Sequence, residues 1–287
     1  MKLNAETQSK TNIITQSLHL NAMDPEKLAA YYRDVIGLTI LNQDEGKAHY
    51  VLGLEDGEGL LEISQATSPA SRRSAGLYHL ALRLPTEKDL ATLLRHIAQY
   101  EALDFTGASD HGYSHALYLN DPEGNGIEIY RDKPESEWDV RDDGEIGGIV
   151  ERLDLDKLVR LAEPEFKGLP EGTDLGHMHL HVGDIDETWA FYRDYLGLGN
   201  KFTMGGRAIF MATGQYHHHL GANTWKGTGL DAPAEGEQGL RSYTWKASEE
   251  DLNWIKDRLA KGSIEYSEDE RGIKFKDNSG ITVKVVL

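Results

Sequence analysis

The sequence predicts an α+β chain built from four βαβββ modules. Three observations carry that prediction: a long-period internal repeat, a strand-then-helix opening that occurs four times, and a closing turn that occurs in both halves. Asp24, Tyr32-Arg33-Asp34 and Gly37-Leu38 recur with the same internal spacing as Asp184, Tyr192-Arg193-Asp194 and Gly197-Leu198, a shift of 160 residues. Thr86-Glu87-Lys88-Asp89-Leu90 recurs as Ser248-Glu249-Glu250-Asp251-Leu252, each a hydroxyl N-cap with an acidic residue three positions on. Asp121-Pro122-Glu123-Gly124 recurs as Asp277-Asn278-Ser279-Gly280, with Asp first and Gly fourth as a type I turn between strands favours.

Taken in order, a strand followed by a helix begins near residues 13, 76, 175 and 239. In the second module Tyr78, Leu80, Leu82 and Leu84 alternate with His79, Ala81 and Arg83; in the third, His177, His179 and His181 alternate with Met178, Leu180 and Val182. The apolar set is expected to pack on helices and the other set to face a polar concavity. Ile185, Trp189, Tyr192 and Leu196 recur at helical spacing over 184–196, with Gly197 as the stop signal. The modules read as 11–66, 76–131, 174–226 and 238–287, grouped in sequence as two domains, 11–131 and 174–287. An acidic connector, 132–173, separates them and carries a short helix at 154–162.

Composition narrows the chemistry. With 48 Asp and Glu against 30 Lys and Arg, the formal charge of −18 repels phosphate backbones and anionic membrane surfaces, so neither nucleic acid nor membrane is expected as a partner. The chain has no cysteine, which excludes disulfides and thiolate metal sites and leaves His, Asp and Glu as metal donors. Residues 1–16 lack the apolar core of a signal peptide, and no apolar run is long enough to span a bilayer. A soluble, cytoplasmic protein is expected, with oligomeric state, a homo-oligomer included, left open.

Four βαβββ modules, with His in the first strands of the inner two and an Asp-Pro-x-Gly-Asn-x-Ile-Glu closing segment at 121–128, resemble the vicinal-oxygen-chelate superfamily, which includes glyoxalase I, bleomycin-resistance proteins and extradiol dioxygenases. Gly76-Leu77-Tyr78-His79, Asp121 to Glu128, Gly176-His177-Met178-His179 and Tyr216-His217-His218-His219 look like the catechol 2,3-dioxygenase-like members. The resemblance implies two domains with metal-binding β-cups, in which each module can offer one ligand from its first strand and one from its last. The first-strand positions hold Ser17, His79, His177 and Ser242. The last-strand positions hold Glu62, Glu128, one of His217, His218 and His219, and Lys284.

His79, Glu128 and His177 are therefore the expected metal ligands, a two-His, one-carboxylate set that suits Fe(II) or Mn(II) and leaves coordination positions for substrate and O2. The resemblance further implies His218 as the acid–base histidine, Tyr118 ten residues before the carboxylate, and His111, with His115 in reserve, as a second histidine. The function implied is extradiol ring cleavage of a small aromatic diol. Two other readings compete. Pairing of modules one and two would bring Glu62, His79 and Glu128 together for glyoxalase-type proton transfer. A cup without metal would instead sequester a small molecule. His19, His49, His96 and His181 are expected to serve packing or surface roles.

Overall fold

The computed structural model describes residues 6–55 and 57–287. The four expected modules are present. Module one comprises strands β1 (Ile14–Ala22), β2 (Thr39–Gln43), β3 (His49–Gly53) and β4 (Gly59–Gln65), and module two β5 (Gly76–Arg83), β6 (Asp104–Asp110), β7 (Ser114–Asn120) and β8 (Gly126–Asp132). The connector holds the short strands β9 (Asp139–Val140), β10 (Ile146–Gly147) and β11 (Glu151–Arg152). Module three has β12 (Asp174–His181), β13 (Gly199–Met204), β14 (Ala208–Ala212) and β15 (Leu220–Asn223), and module four β16 (Gly239–Lys246), β17 (Tyr266–Asp269), β18 (Gly272–Lys276) and β19 (Thr282–Val286). After the first strand of each module comes one helix: α1 (Pro25–Tyr31), α2 (Glu87–Ile97), then α4 (Ile185–Phe191) and α5 (Glu249–Lys261), while α3 (Leu155–Val159) lies in the connector. Among the described residues no helix is long and apolar enough to cross a membrane.

The repeated residues have local causes. Asp24, Thr86, Asp184 and Ser248 are N-caps whose side chains accept from the amides of Lys27, Asp89, Glu187 and Asp251. Both Tyr-Arg-Asp repeats fall in a π-helical turn, Tyr32–Ile36 and Tyr192–Leu196, rather than in continued α-helix. Each turn ends on a left-handed glycine, Gly37 at φ 94° and Gly197 at φ 73°. Their tyrosines meet the repeated turn aspartates. The Tyr32 hydroxyl donates to Asp121 at 3.0 Å and the Tyr192 hydroxyl to Asp277 at 2.7 Å. Each aspartate in turn accepts from amides of its own turn, those of Glu123 and Asn125 or of Ser279 and Ile281. A helix from one module thus braces the closing turn of the next.

The sheets pair crosswise. One has the order β17-β18-β19-β16-β1-β4-β3-β2 and the other β11-β6-β7-β8-β5-β12-β15-β14-β13, so each takes one module from 11–131 and one from 174–287. Modules two and three form the inner sheet across the antiparallel β5/β12 seam; modules one and four form the outer sheet across β1/β16. A single apolar core joins them and includes Leu18, Leu20, Leu80, Leu82, Met178, Leu180, Tyr243 and Trp245. The Thr15 hydroxyl ties the seams together by donating to the Leu175 carbonyl at 2.5 Å. This arrangement overturns the pairing of modules one and two required by the glyoxalase-type reading, because Glu62 and Glu128 lie in different sheets.

One strand departs from simple alternation. Leu80, Leu82 and Leu84 are buried as expected, but Tyr78 is 39% exposed. His179 pairs with His79 and Leu180 with Leu77, leaving Tyr78 as the extra residue of a β-bulge. A bulge re-aims the side chain it carries, and here it turns Tyr78 to the His79 side of the strand.

Candidate metal centre

The seam of the inner sheet brings the three expected ligands together. His79 lies on β5, Glu128 on the parallel neighbour β8, and His177 on β12 across the seam. The Nε2 atoms of His79 and His177 are each 3.1 Å from Glu128 Oε2, and one donor atom from each residue lies within 4.8 Å of the others. All three are buried, at 7%, 4% and 1% exposure for His79, Glu128 and His177. A second bulge helps aim His177. Gly176 is its extra residue, and a Cβ there would lie 1.9 Å from the Tyr130 hydroxyl.

Burial by itself raises the Glu128 carboxyl, but the His177 and His79 rings outweigh it and hold the group well below the usual carboxylate range. Burial brings His177 down to about 4 against the opposing pull of Glu128. His79 Nε2, although close to the carboxylate, has no hydrogen bond, and it is buried. Two imidazoles and one carboxylate whose donor atoms lie together, with one ring nitrogen left unpartnered, fit a divalent cation.

Beside the triad, His218 packs on His177 with ring centroids 4.2 Å apart. Residues 217–219 are not in a strand, so no strand face sorts them: His217 and His218 both sit beside His177, whereas His219 lies toward Trp245. His217 Nε2 is 2.8 Å from Asp132 Oδ1, and His217 Nδ1 is 2.8 Å from His218 Nδ1. A carboxylate can only accept, so His217 Nε2–H donates to Asp132, and the two Nδ1 atoms share one hydrogen bond. Burial, followed by the neighbouring imidazoles, keeps His218 well below the ordinary histidine range, so its ring is neutral.

Tyr118 is the cross-strand partner of Glu128 on β7. Its hydroxyl lies 2.7 Å from His111 Nε2, while His111 Nδ1 donates to the Ile149 carbonyl at 3.0 Å. Burial and then the Glu128 charge raise the Tyr118 phenol well above its usual value, so it stays protonated. His115 faces away from the cup, toward Glu87 and Asp110 at 2.9 and 3.3 Å.

The last-strand position of module three needs correction. Glu128 is in register with Ala81, and by the same parallel pairing Gly221 is in register with His179, so the position belongs to Gly221 and not to a histidine of 217–219. Two contributors to the site went unread. His179 lies two residues from His177 on the same strand face, a signal present in the alternation. Asp132 had none, since its partner His217 is 85 residues away. In the outer sheet Glu62 meets His19 at 3.2 Å and Lys284 at 4.0 Å. His49 bonds Ser64, His96 stacks on Phe166 and His181 meets Asn223.

Comparison with known proteins agrees with this architecture. Residues 14–129 match the model of the Glyoxalase/Bleomycin resistance protein/Dioxygenase superfamily. The chain is 35% identical over 272 residues to a catechol-2,3-dioxygenase of Bacillus subtilis strain 168, covering 91% of this chain and 93% of that protein. In fold it is similar to the cppA protein of Streptococcus pneumoniae TIGR4 (TM-score 0.58, 15% identity, 97% of this chain and 99% of that one). It is likewise similar to a glyoxalase I mutant from Zea mays (TM-score 0.58, 13% identity, 96% and 94%). The chain belongs to the glyoxalase, bleomycin-resistance and dioxygenase superfamily, the vicinal-oxygen-chelate proteins. Among the members compared, a dioxygenase-type enzyme shares its sequence over nearly its whole length.

Proposed function

We propose that the protein is an extradiol ring-cleaving dioxygenase that opens small catechol-type diols with O2 at one mononuclear Fe(II), with Mn(II) as the metal of equivalent ligand preference. The observation that carries this reading is the convergence of His79, Glu128 and His177 next to a neutral histidine, His218, that is hydrogen-bonded through His217 to Asp132. The metal would supply Lewis acidity and redox chemistry at the triad.

The chain's own residues do the rest. His218 takes a proton from a diol hydroxyl and returns it later, and Asp132 holds the His217–His218 pair in place. The Tyr118 hydroxyl, oriented by His111, hydrogen-bonds the diol. The burial of all three triad residues excludes bulk water, which strengthens these interactions. Sequence similarity to a catechol-2,3-dioxygenase supports the same chemistry.

The test is direct. Protein loaded anaerobically with Fe(II) and then given catechol and air is expected to form a yellow ring-opened semialdehyde. Both atoms of O2 enter the product, so uptake should match ring opening mole for mole. Conversion of a glutathione hemithioacetal without O2 uptake, together with no turnover of catechols, would overturn the proposal.

A further inference from the structure

The strand position that faces Glu128 across the inner cup is empty of side chain. Gly221 occupies it, and a Cβ built there would lie 2.8 Å from both Cγ and Nδ1 of His179, so the His179 ring fills the place where a fourth protein ligand would project. His179 is 2% exposed, and its Nε2 is buried without any hydrogen-bond partner. A buried polar nitrogen left unpaired is costly, and its presence beside a candidate metal centre calls for a partner that arrives with a ligand. The ring sits 5.1 Å from that of His79, yet the group of donor atoms within 4.8 Å of one another closes on His79, Glu128 and His177 without it. Aromatic rings frame it: Tyr78 at 5.2 Å, and Trp225 and Phe210 at 5.5 Å. Tyr78, re-aimed by its bulge, and Trp225 are 39% and 42% exposed, which marks this side as the mouth of the cup.

We infer that His179 is a ligand-binding residue: its Nε2 donates a hydrogen bond to the anionic atom of an exogenous ligand held at the open coordination position on the module-three side. In the reading above that atom is a catecholate oxygen, and the substrate ring lies against Tyr78 and Trp225. The inference rests on the metal-centre reading, and it differs from a structural role for His179 because a purely structural histidine would have its buried Nε2 paired within the protein.

The experiment uses full-length protein loaded with Co(II) or Fe(II) without oxygen, with 4-nitrocatechol and azide as probes followed by absorption. His179→Phe keeps a flat ring but removes the donor; His179→Gln keeps a donor. Metal content is expected to stay at the wild-type value in both. The dissociation constant of 4-nitrocatechol should rise about 10- to 100-fold in His179→Phe and return to within about threefold of wild type in His179→Gln, as loss and recovery of one hydrogen bond to a charged group imply. Gly221→Ala, which displaces the ring without changing it, should weaken binding in the same sense. Unchanged probe affinity in His179→Phe would overturn the inference, and so would loss of metal from that variant, which would make His179 a ligand. If wild type binds azide but no catechol, the ring-cleavage reading fails while the azide series still decides the role of His179. Binding of neither probe overturns both.

Discussion

The inner and outer sheets are two versions of one scaffold, and their difference shows why the inner one is the candidate metal centre. Each has an antiparallel seam of two first strands flanked by two parallel last strands. At the seam the inner sheet places His79 and His177, where the outer has Ser17 and Ser242. Among the last strands the inner has Glu128 opposite Gly221, the outer Glu62 opposite Lys284. The outer carboxylate is already served: Lys284 Nζ stands 4.0 Å away and His19 Nδ1 3.2 Å away, beside an open cavity of about 750 Å³. Among the described residues the inner carboxylate pairs with no lysine or arginine, only with the imidazoles of His79 and His177. Donors buried together and short of positive charge favour a cation, and a lysine in the same place, such as Lys284, removes that demand.

The largest expected effect separates the two cups outright. His177→Ala should reduce bound metal to background and abolish turnover, because removing one of three ligands from a buried site leaves too few donors to hold the ion. Glu62→Ala, in the outer cup, should leave metal content at the wild-type level. Elemental analysis of both variants checks this, and the opposite pattern would place the metal in the outer sheet.

A smaller effect tests whether the residues around the inner triad do chemistry or only fill space. His218→Ala should retain the metal and lose turnover by about 10²- to 10⁴-fold, the range for removal of a general base. Asp132→Asn should retain both the metal and His218 yet lose about 10- to 100-fold, since an amide no longer holds the His217–His218 pair as a carboxylate does. Oxygen-electrode rates beside metal analysis give both numbers. Equal rates in Asp132→Asn and wild type would remove the role of the Asp132–His217 chain.

How much of this could be read beforehand follows from the range of each interaction. The modules were legible because caps and turns are local: a Thr86 or Ser248 hydroxyl caps the amide three residues on, and Asp121 or Asp277 closes its own turn. The convergence of His79, Glu128 and His177 was legible because equivalent strands keep equivalent registers. The crosswise pairing was legible only through those ligands, and pairing of modules one and two stayed open as an alternative, since strand choice in a sheet depends on contacts between residues more than a hundred apart, such as Thr15 with Leu175. The places where register slips were not legible. The bulge at Tyr78 moved an apparent core residue to the cup, and the irregular path of His217–His219 gave the last-strand position of module three to Gly221.

The smallest effect concerns protons rather than metal, and it is confined to the outer cup. His19, 7% exposed, is lowered to about 3, chiefly by burial and then by the Arg241 and Lys284 charges, which outweigh the pull of Glu62. The folded chain therefore keeps this ring neutral, whereas the unfolded chain protonates it below the ordinary value of 6.5. Its contribution to stability is complete above pH 6.5 and is lost as pH falls from 6.5 toward 3, at about 1.4 kcal/mol per pH unit for one proton. Denaturant unfolding between pH 7 and 4.5 should show a steep loss of stability in wild type and a slope shallower by about one proton in His19→Gln, with metal content unchanged. An identical slope in the two proteins would mean that the His19–Glu62–Ser64 cluster holds a proton in the folded state. The outer carboxylate would then be neutralised by an imidazolium as well as by Lys284, and its distance from a metal-binding role would be greater still.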